Sequence, residues 1–160
     1  MFCTDNVRWL YKLEKNFSWE SGLNFDRDYA FKDKTGVVRL ILEEGGHITV
    51  TRGYAWDGCS PKFCLFDLLI GTPDGTVHAR TGKPKTYFAS LVHDALYQFV
   101  PEGLPLSRHD ADRCFLRLMS ETQFRLRYIY FFAVWAFGGL VRRVERYSRK
   151  TAGTKIELKA

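Results

Sequence analysis

Cysteine is sparse in this 160-residue chain: Cys3, Cys59, Cys64 and Cys114 are the full set, and none stands in a C-x-x-C pair. That spacing argues against a zinc knuckle and leaves buried or idle thiols, reduced in a cytoplasm, as the expectation. Internal repeats, low-complexity tracts and long linkers are also missing, which sets aside solenoids and disordered arrays. The opening residues carry Asp5 and Arg8 where a secretory signal would be apolar, so a cytoplasmic start is expected. The longest uncharged helical stretch, residues 128–141, gives about 21 Å of helix against a bilayer core of about 30 Å.

What is present suits one globular domain over residues 1–160. Hydrophobic residues make up 46% and charged residues 26%, while aromatics reach 16%, so bulky rings can build a core at this length. Lys and Arg number 24 against 18 Asp and Glu, a net charge of +6. This excess favours phosphates of any kind, lipid or nucleic acid, and is too small to name a partner alone. It gathers late, at Arg125, Arg127, Arg142, Arg143, Arg146, Arg149 and Lys150.

Residues 1–60 read mainly as β. Residues 7–15 and 28–32 are short aromatic-rich runs. Residues 37–42 form a β-branched run, a Glu-Glu-Gly-Gly turn follows at 43–46, and residues 47–52 return as a second strand. Residues 53–61 form a loop of unusual composition. A short helix is expected within 61–69 and an exposed excursion over 71–85. Residues 86–149 read mainly as helix. Phe88, Leu91, Val92, Ala95, Leu96 and Phe99 recur at helical spacing. After the Pro/Gly-rich connection at 101–105, Ser107 and Asp110 form a capping box for a second helix to about 119. A third helix is expected over about 122–149, with residues 150–160 a tail. For its uncharged stretch, the length favours a buried helix flanked by arginines. The other reading is an interfacial segment with its aromatic rings at headgroup depth. The fold class is α+β: a small antiparallel sheet packed by three helices.

The candidate chemistry lies on the first two helices. His93 and Tyr97, four apart, share a face, and Asp94 points about 100° round. Asp112 is in register with Phe115, Leu116 and Met119 on an apolar stripe, whereas Asp110 lines up with Arg113 and Arg117 on the wet side. A buried carboxylate needs a partner, and His93 and Tyr97 are the nearest ones on an antiparallel neighbour. A histidine oriented by a buried aspartate is a general base. Asp94 offers a hard oxygen for a divalent cation, and Asp57 with carbonyls of 53–60, Gly58 among them, could complete a calcium site. The alternative is architectural: a His–Asp–Tyr network that locks two helices. Ser60 more readily shapes its turn than acts as a nucleophile, and His47, His78 and His109 stand in polar or alternating contexts.

His93-Asp94-Ala95-Leu96-Tyr97 followed by Ala111-Asp112-Arg113-Cys114-Phe115 resembles the helix pair of phospholipase A2, closest to the disulfide-free form of parvovirus capsid proteins. The resemblance covers residues 89–119. It implies that His93 is the base, Asp112 its partner, Asp94 the calcium ligand, and Tyr97 part of the supporting network. The glycine-rich calcium loop of that family does not stand just before His93; residues 53–61 are the candidate for it. A second resemblance covers residues 48–139. Gly53-Tyr54-Ala55-Trp56-Asp57-Gly58-Cys59-Ser60, the His93 motif and Ser107-Arg108-His109-Asp110-Ala111-Asp112 are similar, in this order, to a phage and prophage family known as domain of unknown function 1353. This implies a phage origin and ties Asp57 and Ser60 to the same site.

The expected function is therefore a phage-encoded, calcium-dependent hydrolase of phospholipid esters. A phospholipid or membrane surface is its expected partner, and nucleic acid is not. The expected location is the host cytoplasm, in association with a membrane surface or the virion. The rival readings are a non-enzymatic phage accessory or structural module and a host-directed binding protein.

Overall fold

A computed structural model of the chain describes residues 11–56, 58, 62–65, 68–71, 77–79, 81–145 and 155–157. Short strands build the first half: β1 (Tyr11–Lys12), β2 (Phe17–Glu20), β3 (Tyr29–Lys32), β4 (Val38–Leu42), β5 (His47–Val50), β6 (Ala55–Trp56), β7 (Lys62–Leu65) and β8 (Leu68–Gly71). The helices α1 (Tyr87–Phe99), α2 (Arg108–Glu121) and α3 (Arg127–Glu145) follow, then a last strand, β9 (Lys155–Glu157). The arrangement is α+β, as the hydrophobic periodicities require.

The main sheet is antiparallel, in the order β2-β5-β4-β3-β9, while β1 pairs with β6 and β7 with β8. Register on β4 and β5 sets Leu40 opposite Val50 and Leu42 opposite Ile48, and all four are fully buried. Alternation along the pleat thus carries one apolar face inward. The turn between them closes through Glu43 N–H to His47 O at 2.9 Å and Gly46 N–H to Glu43 O at 2.7 Å. Gly46 sits at φ +84° against the carbonyl of Leu23, a position that a side chain would both strain and crowd. On the inner face the ring of Phe31 lies 5.4 Å from that of Phe99, joining sheet to α1.

Four local expectations are corrected. Where a short helix was expected within 61–69, the described residues are strand: β7 and β8 pair antiparallel. The ladder sets Phe63 opposite Ile70 and Cys64 opposite Leu69, so backbone groups are satisfied between strands rather than along a helix. The third helix starts at Arg127 rather than near 122, because Gln123 adopts φ 53° and breaks the run after α2. The segment read as a tail supplies β9, whose Ile156 pairs with Ala30 of β3, so that β9 is an edge strand of the main sheet. The uncharged stretch of α3 is not enclosed on all sides: Tyr130 and Val134 are buried, but Tyr128, Ile129, Phe132 and Trp135 face outward. Among the described residues, no helix is long and apolar enough to cross a membrane.

Candidate functional site

The site is assembled by a short connection between two helices. Phe99 is followed by a single 3₁₀ turn over Val100–Glu102, which ends at Gly103 in the left-handed region (φ 79°). Ser107 then caps α2: its Oγ accepts from Asp110 N–H, and the Asp110 carboxylate accepts from Ser107 N–H at 3.0 Å, a complete capping box. So brief a link returns the chain beside itself. Contacts run from His93 with Asp112 to Tyr97 with Arg108, the reversed order expected of antiparallel helices.

His93 Nε2 lies 3.0 Å from Asp112 Oδ1, and the Tyr97 hydroxyl donates to the same oxygen at 2.5 Å. Asp112 is 1% exposed and His93 7%, so both polar groups are taken from water and satisfied by each other. The His93 ring is packed by the rings of Tyr97 and Phe115, at 4.2 and 4.9 Å between centroids. Asp94, on the more open side, holds Oδ1 3.7 Å from His93 Nδ1, a charge contact rather than a hydrogen bond. Asp110 stays apart on the wet face. The hydrogen bond from Ser107 holds its carboxyl below the usual range.

Opposing influences set the imidazole's proton affinity. Burial, the largest, pushes the His93 pKa down. Asp112 and Asp94 push it up through contact and charge, and the net shift is upward. For Tyr97, burial and the bond to Asp112 both raise the phenol pKa far above its ordinary value, against a smaller lowering by Arg108. The phenol therefore remains a proton donor to Asp112 at neutral pH. With the Nε2 proton directed at Asp112, the lone pair of a neutral His93 lies on Nδ1, on the Asp94 side. A water molecule bound there would meet a base backed by a buried carboxylate.

The structure thus brings together His93, Asp112 and Tyr97, with Asp94 at the rim. Asp57 and Ser60 lie outside the described residues. Gly58 is buried at φ 83°. Trp56, just before Asp57 in sequence, is fully buried, and its Nε1 donates to Ser90 Oγ at 3.2 Å, one turn ahead of His93 and Asp94 on α1. Among the described residues, no three His, Cys, Asp or Glu side chains gather as a cation site.

One participant was not singled out from the sequence. Arg108 donates from Nε to the Tyr97 hydroxyl at 2.7 Å and from Nη2 to the carbonyls of Val134 and Trp135 at 3.4 and 3.3 Å. It thereby links α3 to the cluster. The available signal was its position four residues before Asp112, on the same face of α2. Cys114, beside these residues, is buried, and burial raises its thiol pKa to about 12, so it is inert at neutral pH.

Fold and site together define an α+β chain with a buried His–Asp–Tyr cluster held between antiparallel helices. No family model, curated protein or solved structure matches the chain.

Proposed function

We propose that this chain hydrolyses phospholipid esters with water activated by His93. The observation that carries the reading is the 3.0 Å contact of His93 Nε2 with buried Asp112, which leaves Nδ1 on the side of the half-buried Asp94. His93 Nδ1 takes a proton from water as its oxygen attacks the ester carbonyl. Collapse of the tetrahedral intermediate breaks the ester C–O bond, and His93 returns the proton to the leaving alkoxide. The products are a fatty acid and a lysophospholipid. Asp112 holds the ring's tautomer and balances the imidazolium charge, and Tyr97 holds Asp112. In this reading Asp94 would hold calcium together with Asp57 and the Gly58 carbonyl, and the ion would supply positive charge for the developing oxyanion. The resemblance to phospholipase A2 supports the assignment of roles, and the phage-family resemblance implies a phage origin and ties Asp57 to the same site.

The deep burial of His93 and Asp112 favours a second reading, in which the cluster only locks α1 to α2 and the protein is an accessory or binding module. Fatty-acid release from mixed liposomes, followed through a calcium titration, separates the two. Calcium-dependent release that His93→Gln abolishes, with the unfolding midpoint retained, is the expected result. No release at any calcium concentration, or equal release by both proteins, leaves the cluster architectural.

A further inference from the structure

Helix α3 is apolar on two sides. Tyr130 and Val134 are 3% and 5% exposed and face the domain. Tyr128, Ile129, Phe132 and Trp135 are 63%, 64%, 63% and 53% exposed, at spacings that gather them into one outer stripe. A helix that has already buried one face rarely leaves another of this size to water without a binding role.

The charge pattern says what kind of surface fits. No acidic residue occurs between Glu121 and Glu145, while Arg125 and Arg127 stand at the start of the stripe and Arg142 and Arg143 beyond its end. Arg125 is exposed, and the Arg127 guanidinium lies 4.7 Å from the ring centre of Tyr128. Tyr and Trp between cations suit a boundary that is apolar on one side and anionic at its edge. A second copy fits less well, since either orientation of two such helices sets arginine against arginine. The helix also falls short of a membrane span.

We propose that the outer face of α3 docks flat on an anionic lipid surface, with Phe132 and Trp135 entering the headgroup boundary and Arg125 and Arg127 on lipid phosphates. The proposal deepens the phospholipid reading of the His93 site and shares its substrate class, but binding is measurable without turnover. Arg108 gives the docked helix a direct tie to that site. Its guanidinium joins the Val134 and Trp135 carbonyls to the Tyr97 hydroxyl, which bonds Asp112.

The test is flotation of the full chain with phosphatidylcholine vesicles, with and without phosphatidylglycerol, alongside sedimentation of the protein alone. Wild type is expected to float with the anionic vesicles, and less so as salt rises. Phe132→Ser/Trp135→Ser should lower vesicle affinity about a hundredfold, as two rings no longer leave water. Its unfolding midpoint should hold, since both side chains are exposed. Arg125→Gln should weaken binding to anionic vesicles only. His93→Gln should float like wild type, and vesicle binding by both proteins with no fatty-acid release, or with equal release, would overturn the enzyme reading alone. Wild type that fails to float, or a double variant that floats equally, overturns the docking proposal. So does a wild-type dimer that the double variant dissolves without any vesicle binding, which would assign the face to a second copy.

Discussion

The Tyr97 hydroxyl stands 2.5 Å from Asp112 Oδ1, on the same carboxylate oxygen that His93 Nε2 approaches at 3.0 Å. Fifteen residues of chain separate tyrosine and aspartate. Because Tyr97 also accepts from Arg108, the hydroxyl is satisfied in both of its roles, and the carboxylate cannot shift without breaking two contacts. This pair fixes where the His93 ring points.

Asp112 and Asp110 lie two residues apart on one helix and should differ sharply in energetic weight. Asp112→Ala strands the Tyr97 hydroxyl and His93 Nε2 inside the core, a loss of about 3 kcal/mol. Asp110→Ala removes half of an exposed capping box, a loss of about 1 kcal/mol. Urea unfolding of the two variants checks this. Equal losses would remove the buried pair as a stabilising unit.

The pKa of His93 is raised in the folded protein, with Asp112 and Asp94 outweighing burial. The stabilisation this represents is fully present below the unfolded histidine value of 6.5 and is lost as pH rises through the higher folded value. Hydrolysis should run the other way, increasing as the same group loses its proton. NMR titration of the ring should give a value above 6.5 in wild type and a lower one in Asp112→Asn. A wild-type value below 6.5 would mean that burial outweighs the two carboxylates.

Arg108→Gln should loosen α3 while leaving α1 in place. The substitution removes the Nε bond to Tyr97 and the Nη2 bonds to two α3 carbonyls, an expected loss of about 1–2 kcal/mol. Arg108→Lys should rescue little, since a single ammonium cannot reach both elements as a planar fork does. Hydrogen exchange should show faster opening over Arg127–Glu145 than in wild type. Unchanged protection there would mean that the tether carries no weight.

Asp33 organises the turn from β3 to β4. Its Oδ1 accepts from Thr35 N–H at 2.8 Å and Val37 N–H at 3.2 Å, and Oδ2 from Arg39 Nε at 2.6 Å. Burial pushes its pKa up, but the bonds from Thr35 and Arg39 and the backbone donors prevail and bring it to about 2. The corresponding stability is full above 3.8 and disappears as pH falls through about 2. Asp33→Ala should lose about 2 kcal/mol at neutral pH and show a flatter acid limb. An identical acid limb in the variant would rule out this linkage.

Local patterns carried much of this outcome. The capping box at Ser107 and Asp110, the hairpin at 38–50 and the burial of Asp112 rather than Asp110 follow from spacing alone, because each depends on residues within a turn or two of one another. The pairing of His93 with Asp112 was legible for a related reason: a short Pro/Gly link leaves adjacent helices little choice but to pack antiparallel. Arg108 escaped notice because its partners lie on two other helices, and a basic residue near a helix start usually signals a solvated face.

By itself the sequence determined the α+β class, the helix carrying His93, Asp94 and Tyr97, and the buried side of α2, since periodicity and caps act over a few residues. Tertiary structure decided the rest. It paired residues 62–65 with 68–71 as strands, brought β9 to the sheet edge, tied α3 to the cluster through Arg108, and left Tyr128, Ile129, Phe132 and Trp135 facing outward. The physical reason is that α3 is apolar around most of its circumference, so no periodicity marks which side meets the core. Only the shape of α2 and its neighbours selects the face that is buried and the face left for a partner.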